Sequence, residues 1–155
     1  MNDTVRYSQF HQQIVNPSYR TYKSSDYKEI MELWKSAGLI VSLSDNQEEL
    51  EKLAFKTDNK FILLELENRI IGTVICAHDG RRGYIHHLAV LPEFQKNGFG
   101  NQLMDEAIKH YKSLKTVKTH IFIEKSNSKV VDFYKHIDFK IRDDLILMTL
   151  TMREE

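Results

Sequence analysis

The motif Gln95-x-x-Gly98-x-Gly100 carries the strongest chemical signal in the sequence. Glycines at alternate positions let successive backbone N–H groups converge without Cβ interference. A helix starting inside such a loop leaves its first-turn N–H groups unpaired at the positive end of its dipole. A phosphate or pyrophosphate is the natural occupant. The spacing lacks the third glycine of a dinucleotide fingerprint and the Gly-Lys-Ser/Thr end of a P-loop, so neither nucleotide motif fits. A second signal is the pair His86-His87, on a segment where Tyr84, His86, Leu88 and Val90 alternate onto one strand face and Ile85, His87 and Ala89 onto the other. With a reference pKa of about 6.5, His86 is a candidate proton relay near neutral pH, the plain alternative being a sheet histidine packed beside tyrosine. Two neighbours on opposite strand faces cannot readily converge on a metal, and no metal site is expected.

The elements that must hold these groups follow from periodicity. Residues 88–91 end a buried strand, Pro92 marks a turn, and the helix after the glycines runs over 99–111, burying Phe99, Leu103, Met104, Ala107, Ile108 and Tyr111. Before it come an expected short strand at 19–22, a helix over 27–37 capped by Ser25-Asp26 and stopped by Gly38, and a second helix after Ser44-Asp45-Asn46. Glu48, Glu49 and Glu51 match the dipole of that second helix and read as a solvated face rather than a cation site. Strands over 61–66, 70–77 and 84–91, joined by turns at 67–69 and 79–83, form consecutive antiparallel pairs.

Beyond the glycine helix, a strand over 117–124 is expected parallel to the one ending at Leu91, the two splaying apart to leave a crevice. Ser126-Asn127-Ser128 starts a helix to about residue 137. Segments 139–141 and 145–151 read as a final hairpin whose edge could pair with another copy, leaving a homodimer open. The fold class is therefore α/β in the mixed sense: a mostly antiparallel sheet with one splayed parallel pair, flanked by about four helices.

Composition sets the outer bounds. A chain of 155 residues suits one domain, expected over 19–155, with residues 1–18 as either an arm or an added strand. Acidic and basic residues balance at 22 each, which argues against nucleic acid or an anionic membrane as partner. Cys76, alone in the chain and inside an apolar run, reads as a buried strand thiol. The start of the sequence shows no apolar core of a signal peptide and no run approaches a membrane span, so a cytoplasmic location is expected.

Together, the Leu88-Ala89-Val90 strand, the glycine loop and the amphipathic helix resemble motif A of the GCN5-related N-acetyltransferases (GNAT), whose loop reads Gln/Arg-x-x-Gly-x-Gly/Ala and cradles the pyrophosphate of acetyl-CoA. The resemblance extends over roughly residues 19–151. Asn127 and Tyr134, seven positions apart, match the family's second motif. Two departures are visible: Asp138 stands where the family usually has Gly before the terminal Phe139, and Tyr84 stands near the usual position of a Glu base.

The resemblance implies an acetyl-CoA-dependent N-acetyltransferase, acting on an amine of a small molecule or protein in a ternary complex with no metal. A non-catalytic acyl-CoA-binding regulatory module is the alternative. It implies Tyr134 as general acid toward the departing thiolate, the Leu88 N–H as oxyanion donor, and His86 in place of a carboxylate base. Cofactor contacts would fall to Leu88, Ala89, Val90, Gln95, Lys96, Asn97, Gly98, Phe99, Gly100, Asn127 and Tyr134. A lysine-like amine, with reference pKa of about 10.4, must lose a proton before it can attack, so some acceptor is required.

Overall fold

The computed structural model describes residues 16–153. Its centre is a five-stranded sheet in the order β1 (Ser18–Thr21), β2 (Lys60–Leu66), β3 (Arg69–His78), β4 (Gly83–Val90) and β5 (Thr119–Ile121). The first three pairings are antiparallel and the last, β4 with β5, is parallel. Glu67 and Asn68, at φ 52° and 64°, make the tight turn between β2 and β3, the positive φ at both positions matching the right-handed strand twist.

Four helices flank the sheet: α1 (Tyr27–Ser36), α2 (Gln47–Ala54), α3 (Phe99–Ser113) and α4 (Val131–His136). Gly38 ends the first at φ 78°, and the Asn46 side chain caps the second by accepting from the Glu49 N–H at 3.1 Å.

Adjacent strand residues show that the sheet is covered on both faces. Thr73 of β3 meets Trp34 of α1 by hydrogen bond, whereas its neighbour Gly72 lies under Leu103 of α3. The Trp34 indole stacks on Phe61, which stacks on Tyr22, while Leu103, Met104 and Ala107 are fully buried on the opposite side. α3 lies on bare backbone: a Cβ at Gly72 would stand 2.9 Å from Leu103 Cδ1, and one at Gly83 would stand 2.4 Å from the Tyr111 ring. Cys76 is buried in β3, and burial pushes its thiol up to about 12.

Three expectations need correction. The final hairpin is absent: residues 140–153 form no strand, and Ile146, Met148, Leu150 and Met152 are exposed. A strand forms only against a paired edge, and β5, expected over 117–124, stops after three residues at Ile121. The tail instead meets α2 through an ion pair from Arg153 to Glu49 at 3.3 Å, while Arg142 pairs with Asp144 within the tail at 2.7 Å. The helix expected from Ser126 is a 3-10 turn over Lys125–Val130 that breaks at Asn127 before α4 begins. Of the expected arm at residues 1–18, the first fifteen lie outside the described residues. Among the described residues, no helix is long and apolar enough to cross a membrane.

Candidate active site

Pairing between β4 and β5 ends at Ile85 and Ile121, although β4 continues to Val90. The two parallel strands separate there, and a cavity of about 580 Å³ opens in the gap. Its β-sheet wall is Ile85, His86, His87 and Leu88 on one side and 121–124 on the other, while Asn127, Val130 and Tyr134 close it from the α4 side. The connection between α1 and α2 adds Leu39, Ile40, Ser42 and Asp45, and α2 adds Leu50 and Leu53. His86, Leu88, Asn127 and Tyr134, which the sequence placed in one site, thus share one cavity.

The glycine loop stands beside this cavity rather than in its lining. After Leu91, a 3-10 turn over Pro92–Phe94 leads into Gln95, and α3 begins at Phe99. Lys96 and Gly98 are left-handed, at φ 62° and 82°. Among the described residues, the N–H groups of Lys96, Asn97 and Gly98 make no hydrogen bond. Side chains brace the loop from behind: Gln95 Nε2 donates to the Val90 carbonyl at 2.9 Å, and Asn97 Nδ2 donates to the Gln95 carbonyl at 3.0 Å. The space a Cβ at Gly98 would enter is empty out to 4 Å, and Gly100 meets only the Phe133 ring at 3.5 Å. Unpaired amides, a helix start and open room fit a diphosphate. The same bracing occupies one lone pair of the Val90 carbonyl. Ala89 is buried, leaving only its backbone for a ligand.

Tyr134 is nearly buried, held edge-on by Phe133 and Phe139 at ring separations of 5.0 and 5.7 Å. Burial alone raises its phenol to about 12, so it stays protonated and able to donate. Burial, then the charge of neighbouring His87, holds His86 below the ordinary histidine value. Asp138 takes the left-handed conformation, φ 67°, that the family usually gives to glycine.

Strict alternation along β4 fails at one place, and the sequence did not show it. Thr73 pairs with Ala89 but Ile75 pairs with His86, so two residues, His87 and Leu88, bulge opposite Val74. His87 adopts φ 48° there and lines the cavity with His86 instead of turning away from it. Its ring stacks on Trp34 at 4.0 Å, its Nε2 stands 3.1 Å from Asp45 Oδ1, and its carbonyl accepts from Thr73 Oγ1 at 2.8 Å. Asp45 is held in turn by the Ser42 N–H at 2.8 Å and Oγ at 3.2 Å. Burial pushes the Asp45 carboxyl up, but the His87 and Ser42 hydrogen bonds outweigh it and keep it below the usual carboxylate range. The one available signal was the capping-box spacing Ser42-x-x-Asp45, which marks a turn but not its partner.

The model of the acetyltransferase (GNAT) family matches residues 27–139, most of the described chain. The chain belongs to the GNAT family. An acetyltransferase of Yersinia enterocolitica is 27% identical over 128 residues, covering 83% of this chain and 91% of the relative. Among solved structures, glucosamine-6-phosphate N-acetyltransferase from Arabidopsis thaliana superposes with a TM-score of 0.69 at 20% identity, covering 89% of this chain and 99% of that one. An aminoglycoside acetyltransferase from an uncultured soil metagenomic sample gives a TM-score of 0.68 at 17% identity, covering 88% and 97%. At those identities the structural matches speak for the GNAT fold alone. With the family and the curated relatives, the protein is an acetyl-transferring enzyme. GNAT proteins use acetyl-CoA and an amine acceptor. Among the described residues, no group of histidine, cysteine and carboxylate side chains is placed to hold a metal.

Proposed function

We propose that this enzyme transfers the acetyl group of acetyl-CoA to a primary amine, of a small molecule or of a protein, by direct attack in a ternary complex. The observation that carries this reading is the meeting of Leu88, His86, Asn127 and Tyr134 on one cavity at the point where β4 and β5 part. Acetyl-CoA supplies an electrophilic thioester carbon. The 95–100 loop would hold its diphosphate and the edge of β4 at Leu88 its extended arm. Lys96, exposed on that loop, would add charge near the phosphates.

The chain's own groups then divide the work. The acceptor nitrogen forms the new C–N bond as the C–S bond breaks, and its surplus proton leaves through His86. The Leu88 N–H donates to the oxygen on which charge develops. Tyr134 donates to the departing sulfur. Because burial holds its phenol near 12, a strong hydrogen bond to the thiolate is favoured over full surrender of the proton.

A cytoplasmic homodimer completes the reading, with exposed Ile146, Met148 and Leu150 of the tail as the apolar surface a second copy would cover. Sedimentation at increasing concentration tests the dimer. For the activity, the test is release of free CoA from acetyl-CoA across a panel of diamines, amino sugars and lysine peptides. Saturable release with at least one acceptor is expected, and no release above thioester hydrolysis with any of them overturns the proposal.

A further inference from the structure

The α1–α2 connection forms the acceptor-side wall of the cavity, yet it belongs to no strand and to no helix longer than one 3-10 turn over Leu43–Asp45. What ties that turn to the sheet is the contact between Asp45 and His87. His87 is in turn the residue at which β4 bulges, held at φ 48° in a left-handed backbone that a non-glycine residue adopts only with strain. Strain of that kind persists only where the surroundings over-determine it.

Here three contacts do so, each from a different element. The Trp34 indole lies on the ring, and its Nε1 donates at 2.9 Å to Thr73 Oγ1, whose own hydroxyl donates to the His87 carbonyl. Asp45 Oδ1 stands 3.1 Å from the ring's Nε2. The next residue in the chain is Leu88, which lines the cavity and whose amide the proposed reaction assigns to the oxygen on which charge develops.

We propose that Asp45 and His87 are positioning residues for acetyl transfer: their contact latches the acceptor wall to the bulge of β4 and so holds the Leu88 amide and the acceptor pocket in one geometry. The inference rests on the amine-acetylation reading above. It explains why an acid in a surface connection is only 6% exposed and bonded through both oxygens. It also assigns a use to the strained residue that lies beside His86 but makes no part of the proton path. His87 Nδ1 is buried without a partner among the described residues, so loss of Asp45 leaves the ring held by its stacking on Trp34 alone.

Three variants test the latch. His87→Phe keeps a ring on Trp34 but cannot donate to Asp45. His87→Gln keeps a donor close to the Nε2 position. Asp45→Asn weakens the acceptor. The expected result is a ten- to hundredfold fall in kcat/KM for the acceptor amine in His87→Phe and Asp45→Asn, with acetyl-CoA Kd within twofold of wild type and substantial recovery in His87→Gln. Equal losses in Phe and Gln variants, or a parallel loss of acetyl-CoA binding, overturn the latch.

Hydrogen exchange on the same proteins gives a readout that needs no turnover. Breaking the latch should speed exchange together at 39–45 and at 86–90, leaving 99–113 unchanged, and unaltered exchange at both segments overturns the inference. Should wild type acetylate no amine, the proposed activity falls alone, and exchange still decides the latch. If His87→Phe does not fold, Asp45→Asn and His87→Gln carry the comparison by both readouts.

Discussion

The two sides of the cavity are built from different material. On the coenzyme side, the 95–100 loop offers backbone: amides without partners, two left-handed residues and empty space where a Cβ would stand. On the acceptor side, Asp45, His87, Trp34 and Thr73 form a chain of side-chain contacts between elements far apart in sequence. Backbone geometry tolerates almost any side chain that permits the dihedral angles, whereas a side-chain chain fails when one member is lost. The side proposed to bind the coenzyme is therefore the more tolerant of substitution. The side proposed to meet the acceptor depends on each of those side chains.

Substitutions can break or sharpen that contrast. The largest effect is expected from Tyr134→Phe, which removes the sulfur's hydrogen-bond donor and should lower kcat by on the order of a hundredfold. Its acetyl-CoA Kd by calorimetry should stay near wild type. A fully active variant would remove the role assigned to Tyr134.

Next is Gly98→Val, at φ 82° a position that a β-branched residue occupies only with strain of about 1–3 kcal/mol. Acetyl-CoA binding should weaken roughly tenfold with that strain, and the melting temperature should fall. Undiminished binding would show that the loop is not where the diphosphate sits.

His86→Ala should act mainly through pH. Burial disfavours the His86 imidazolium, so its folded pKa lies below the ordinary histidine value and the acid limb of kcat/KM should lie lower still than about 6.5. The alanine variant should lose that limb, and an unchanged profile would exclude the relay. The sign for stability is the same. As pH drops, the unfolded chain takes the proton first, so the wild-type advantage at this site shrinks between the ordinary value and the folded one. The smallest effect is expected for Lys96→Ala, an exposed charge on the loop: acetyl-CoA Kd should rise by no more than a few fold, and less at high salt.

The same contrast accounts for what the sequence made legible. β2, β3, β4 and α3 followed from period and turn residues because each is set by local pattern: Glu67-Asn68 for a tight turn, Gly98 for a left-handed step, and Leu103 and Ala107 for a buried helix stripe. The anion-binding loop was read from its glycine spacing, whereas Asn127 and Tyr134 were read from the resemblance to the family's second motif. The bulge at His87 did not, since one extra residue opposite Val74 leaves the composition of β4 unchanged and shifts only its partners. Asp45 was read as the start of a helix and its contact with His87 spans 42 positions, which no local window contains. The tail failed the opposite way: residues 145–151 have strand propensity in full measure but no neighbouring edge to pair with, and propensity without an edge does not make a strand.

The glycines beneath α3 lead to a last consequence. Gly72 receives Leu103 near the front of that helix and Gly83 receives Tyr111 near its rear, so at these two points the rod rests on bare backbone. Its front tip carries the coenzyme loop. A single added carbon at Gly83 would press on the Tyr111 ring and tilt the rod, drawing its front end off the cleft while the side chains that line the cavity stayed in place.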